Sequence, residues 1–192
     1  MRRITGLTTT LGIALHALAC GGEAGDVPPE SPATQAPASA TPIAADWLQA
    51  DTAARTVTLT IVAGQDATNN NWNFTGYANG NATVTVPEGF TVTINFSNQD
   101  PNMAHSIGVS LRQTGPWSAT PDPTPVFAGA VSSSPTSMTD ATLVGETETL
   151  TFAATTVGEY ALVCYVPGHA TSGMWINFDV VAGGEPGVMS VR

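Results

Sequence analysis

Lysine is absent from the 192 residues, and five arginines stand against fifteen acids, for a formal net charge of −10. A surface of that sign repels polyanions, which excludes nucleic acid and anionic lipid headgroups as partners. Cysteine is almost absent as well. Cys20 closes an apolar leader and Cys164 lies far along the chain, so a disulfide framework is excluded and each thiol needs its own explanation. Histidine occurs only as His16, His105 and His169, too few to build a second metal centre beside a first. No long apolar run exists either. Ile4 to Ala19 is too short and too rich in threonine for a membrane span. No internal repeat is visible, and charged residues make up only 10% of the chain, so its polar surface must come from Thr, Ser, Asn and Gly.

What is present divides the chain into four parts. Residues 1–20 carry Arg2-Arg3, a short apolar stretch and the ending Ala17-Leu18-Ala19-Cys20, as in a secretory leader of the lipoprotein type with Cys20 as the lipidated residue. Ordinary cleavage near Ala19 is the alternative. Loss of Arg2 and Arg3 would leave three arginines against all fifteen acids, close to −12. Residues 21–45 are rich in Pro, Ala and Ser without periodicity, which predicts a disordered tether. Residues 46–184 form the single folded domain, and residues 185–192 a short, loose tail.

Within the domain, apolar residues alternate with Thr or Asn. Thr56 to Val62, Ala82 to Val86, Phe90 to Phe96, Met103 to Val109, Thr147 to Ala154, Glu159 to Cys164 and Met174 to Val180 all read as strands. Phe90 to Phe96 is the cleanest, and predicts an antiparallel sheet with one wet face. Residues 112–146, with five prolines, read as a long connection holding a short strand near Val126 to Val131. The expected fold class is all-β: a Greek-key β-sandwich of about seven to eight strands. The sequons at Asn73, Asn81 and Asn95 read as incidental.

The chemistry concentrates in Cys164-x4-His169-x4-Met174, on a Pro/Gly loop between two strands. Pleat parity turns Cys164, Met174 and His105 inward from strand ends, so they converge at one end of the sandwich. Thiolate and thioether are soft donors and imidazole serves both copper oxidation states, so the set predicts one copper ion that cycles between Cu(I) and Cu(II). His105 is the distant ligand by exclusion, because His16 is in the leader. Met174 is the expected axial thioether, with Met103 as the alternative. Pro167 restrains the loop, and Gly168 and Gly173 allow its tight turns. Apolar flanks favour Cu(I), hence a high reduction potential. Structural zinc would want four strong ligands at closer spacing. A catalytic cysteine would want an oxyanion hole, and a purely structural reading makes Cys164 and Met174 core.

These motifs resemble the cupredoxins. Asn102-x-x-His105-Ser106, Val166-Pro167-Gly168-His169-Ala170 and Gly173-Met174-Trp175 are similar to the sulfocyanin and rusticyanin group, as are Phe74-Thr75-Gly76-Tyr77 and Val86-Pro87-Glu88-Gly89-Phe90. The resemblance implies a blue copper electron carrier of an extracytoplasmic respiratory chain, not an enzyme. It also implies that Ser106 supports the ligands without binding metal. Its partners would be redox proteins such as a c-type cytochrome or a terminal oxidase, and a monomer is expected. The lipoprotein-like leader departs from the anchor helix of archaeal sulfocyanins. In this fold the loop histidine shows its ring edge at the surface, so His169, ringed by Val166, Pro167, Ala170 and Trp175, would sit at the centre of an apolar docking patch with an acidic rim. A copper storage or delivery protein of the cell envelope is the competing reading, disfavoured by the lack of Met or His clusters.

Overall fold

Alternation becomes architecture wherever one side of a strand must leave water. In the computed structural model, residues 41–42 and 44–191 are described; the predicted leader, Cys20 and most of the tether lie outside them. Ten strands appear in chain order: β1 (Thr41–Pro42), β2 (Leu48–Asp51), β3 (Thr56–Ala63), β4 (Ala82–Pro87), β5 (Thr91–Asn98), β6 (Gly108–Leu111), β7 (Thr147–Ala153), β8 (Gly158–Val163), β9 (Trp175–Val181) and β10 (Gly187–Ser190). They form a six-stranded sheet, β1-β10-β4-β9-β8-β6, and a four-stranded sheet, β2-β3-β5-β7. The all-β sandwich is as expected, with more strands.

The core lies between the two sheets. Val92, Ile94 and Phe96 of β5 are at most 1% exposed, as are Val57, Leu59 and Ile61 of β3 and Ile176, Phe178 and Val180 of β9. Burying each such side chain stabilises the fold by about 1.5–3 kcal/mol. The intervening Thr and Asn residues face outward, as the alternation requires.

Strand direction differs from expectation. β5 runs antiparallel to β7 but parallel to β3, and β4 runs parallel to β9. Alternation reports which face is buried and is silent about direction. The loose tail is corrected too: β10 pairs with β4, and Thr41–Pro42, placed in the tether by composition, pairs with β10. Backbone pairing on a sheet edge needs little side-chain pattern. The Val126–Val131 strand is replaced by a single bridge, Gly108 to Val131, and residues 103–107 are irregular except for a bridge from His105 to Thr142. Among the described residues no helix is long and apolar enough to cross a membrane.

Candidate metal centre

The Cys164–Met174 loop closes the end of the β8–β9 hairpin. Cys164 follows β8 directly, and its N–H donates to the Met174 carbonyl at 3.1 Å, continuing the ladder by one step. Inside the loop the His169 N–H donates to the Val166 carbonyl and the Met174 N–H to the His169 carbonyl, at 3.1 and 3.0 Å. Gly168 and Gly173 take φ of +87° and +97°, and a Cβ on Gly173 would collide with the Asn79 side chain. The 112–146 connection braces the loop from outside: Gly168 N–H donates to the Ala119 carbonyl at 2.7 Å and Thr171 Oγ1 to the Trp117 carbonyl at 2.9 Å.

Three predicted ligands meet. Nδ1 of His105 and Nδ1 of His169 are 3.1 Å apart, and Cys164 Sγ lies 3.9 and 3.5 Å from them. All three side chains are fully buried. Met174 is fully buried too, whereas Met103 is partly exposed. Ser106 supports the sulfur: its N–H and its Oγ lie 3.4 and 3.6 Å from Sγ. That Oγ already accepts from the Tyr165 N–H at 2.9 Å, which leaves its own proton for the sulfur. Pro167 is exposed at the loop's outer turn.

Burial sets the protonation chemistry. It pushes the Cys164 thiol up, against the pull of the two Ser106 donors. Burial also pushes His105 below the ordinary imidazole range, opposed by the hydrogen bond and charge of Asp100. His169 is pushed down to about 4, by burial first and His105 second. Imidazoles that resist protonation and a thiol held in a buried site are donors suited to a metal. A soft thiolate with two imidazole nitrogens, and Met174 buried on the same loop, fits one copper ion; structural zinc would have four strong ligands.

Two residues that sequence reasoning missed touch the histidines. The Asp100 carboxylate, 1% exposed, lies 2.8 Å from His105 Nε2. Trp72 stacks on His169 with ring centroids 4.2 Å apart and planes 20° from parallel. Asp100 lies between the strands expected at Phe90–Phe96 and Met103–Val109, though an acid five residues before a ligand histidine was a signal. Trp72 carried none, because the stack joins positions far apart in sequence.

The expected surface edge of His169 is therefore corrected. The ring is 0% exposed and its Nε2 is buried without a partner, while Val166 and Ala170 are buried as well. The turn at Thr68–Asn71 folds over the loop with Asn69, Asn70 and Asn71 in the left-handed region, and Asn69 Nδ2 donates at 2.8 Å to both the Trp72 and Ser172 carbonyls. Trp72, partly exposed, forms the surface above the histidine. The Asn73 sequon is structural: its buried amide donates to the Asp66 and Thr68 carbonyls.

Sulfocyanin from Sulfolobus acidocaldarius is 32% identical over 128 residues, covering 63% of this chain and 61% of that protein's length. Among solved structures, rusticyanin from Thiobacillus ferrooxidans has a TM-score of 0.45 at 23% identity, covering 66% of this chain and 82% of its own. Auracyanin from Roseiflexus castenholzii has a TM-score of 0.44 at 24% identity, covering 65% and 96%. The model of the Sulfocyanin (SoxE) domain matches residues 44–184, from just after β1 to just beyond β9, and the chain belongs to that family.

Proposed function

We propose that the protein is a one-electron carrier with a mononuclear blue copper site, working outside the cytoplasm in a respiratory chain. The observation that supports this most directly is the convergence of His105, Cys164 and His169 in a fully buried, internally braced pocket. Met174 would complete the set with its thioether; it is buried, and its backbone is hydrogen-bonded to both Cys164 and His169. Copper, when bound, supplies a centre that accepts and returns one electron. The chain's part is to hold the donors in one geometry for both oxidation states and to keep water out. Burial of every donor suits electron carriage better than metal release, which needs an open site.

Partners meet the protein over Trp72 rather than over an exposed histidine edge. A redox protein such as a c-type cytochrome or a terminal oxidase fits this role, with the carrier acting as a monomer. Cys20 holds the lipid and residues 21–40 the tether, which keeps the domain at a membrane surface.

The test is the visible spectrum of residues 21–192 loaded with Cu(II). An intense thiolate-to-copper band, bleached by ascorbate and absent from Cys164→Ser, is expected. A colourless protein that binds zinc equally well would overturn the reading.

A further inference from the structure

We propose that Asp100 is the positioning residue for His105: it holds the imidazole in the tautomer that turns a bare Nδ1 towards Cys164 and His169, and its negative charge favours the oxidised metal. A carboxylate only accepts hydrogen bonds, so the contact of 2.8 Å places the proton on His105 Nε2 and leaves Nδ1 with its lone pair free. That nitrogen is the one 3.1 Å from His169 Nδ1 and 3.9 Å from the sulfur.

Asp100 is itself held from several sides. Its Oδ1 accepts from the Asn102 N–H at 2.9 Å, and its own N–H donates to Asn98 Oδ1 at 2.8 Å. The buried Asn98 amide then donates to the Met103 and Thr142 carbonyls, and the Thr142 carbonyl also receives the His105 N–H. Carboxylate and imidazole are thus fastened to one frame at the end of β5. Gly64, at φ +65°, lets the backbone of Asp100 pack where a Cβ would come within 2.7 Å of its N and Cβ. No arginine pairs with Asp100 among the described residues; its side-chain partner is the His105 ring. His169 has no such support, because its Nε2 is buried without a partner.

A buried carboxylate one ring away from the metal position opposes the apolar surroundings. Apolar burial favours Cu(I), whereas the carboxylate favours Cu(II). The charge half of this inference rests on the copper reading above; the tautomer half does not.

The experiment has a metal-free and a copper-loaded arm. Long-range 1H–15N correlation spectra of the metal-free protein read the His105 tautomer. A proton on Nε2 is expected in the wild type and in Asp100→Asn, whose amide oxygen still accepts. A mixed tautomer is expected in Asp100→Ala, with Cu(II) affinity lower by about 10–100-fold. In Asp100→Asn the potential should rise, about 59 mV for each tenfold shift from Cu(II) to Cu(I) preference. A wild-type proton on Nδ1, or an Asp100→Ala variant with unchanged tautomer and affinity, overturns the positioning role. An equal or lower potential in Asp100→Asn overturns the charge role. If Asp100→Ala does not fold, the wild-type tautomer and the near-isosteric Asn variant decide both halves. An expected tautomer with no copper binding would refute the electron carrier and leave the positioning role standing.

Discussion

The two histidines of the site differ in what holds them. His105 comes from the irregular stretch after β5 and is held by a hydrogen bond at its far nitrogen, to a buried carboxylate. His169 comes from the hairpin loop and is held across its face, by the Trp72 ring at 4.2 Å, with its far nitrogen unpartnered. One side is fixed by charge and direction, the other by packing. Polar support sets a tautomer and a local potential, while π-stacking fixes a plane and excludes water without setting either. A donor set built this way keeps its electrostatic control on the distant strand side and its contact with the surface on the loop side.

The contrast can be broken at several points. Cys164→Ser removes the sulfur that both sides share, so the coloured Cu(II) state should vanish completely; absorption spectra and a copper titration read this. Trp72→Ala attacks the packed side alone. It should destabilise the protein by less than the roughly 3–5 kcal/mol of a fully buried tryptophan, because Trp72 is partly exposed. His169 should then become accessible to solvent, shown by faster exchange of its ring proton, while the His105 signals stay in place. Trp72→Phe should restore most of the loss.

Gly64→Ala attacks the polar side first, through the Asp100 backbone. A left-handed backbone at φ +65° and contact with the Asp100 backbone should cost about 1–3 kcal/mol in urea unfolding. Its spectral changes should appear at His105 and not at Trp72.

Acid should act on both sides of the metal-free protein. His105 and His169 are both pushed below the ordinary value of 6.5, His169 to about 4. Below 6.5 the unfolded chain binds protons that the folded chain refuses, so stability falls with pH and the loss from His169 levels off below about 4. Thermal unfolding across that range measures the slope, which should shrink in His169→Asn. The smallest effect on the site belongs to Cys20→Ser, which should release the protein from membranes and leave its copper spectrum unchanged.

Much of this was visible along the chain. Alternation located β3, β4, β5, β7, β8 and β9 to within a residue or two, because a strand with one buried face must repeat its chemistry at every second position. Parity also turned Cys164 inward, and it is fully buried; His105 is fully buried as well, but in an irregular stretch where Ala104 and Ser106 on either side are buried too. The edge pairs β1–β10 and β10–β4 were hidden, since backbone hydrogen bonds at an edge leave little mark on residue type. The parallel pairing of β3 with β5 was hidden for the related reason that a pleat looks the same in either direction.

The sequence alone named the side chains that could bind metal: Cys164, His105, His169 and Met174 are enough for a single centre. Its spacing of five residues also determined that Cys164, His169 and Met174 share one short loop. Only the tertiary structure decided how each imidazole is supported. Asp100 reaches His105 because the chain after β5 turns back on itself, and Trp72 covers His169 because a turn of left-handed asparagines lays it across the loop. Ligand identity is a property of side-chain chemistry and can be read in one dimension. Exposure, tautomer and electrostatic surroundings depend on which distant segments come within a few ångströms, and folding alone brings them there.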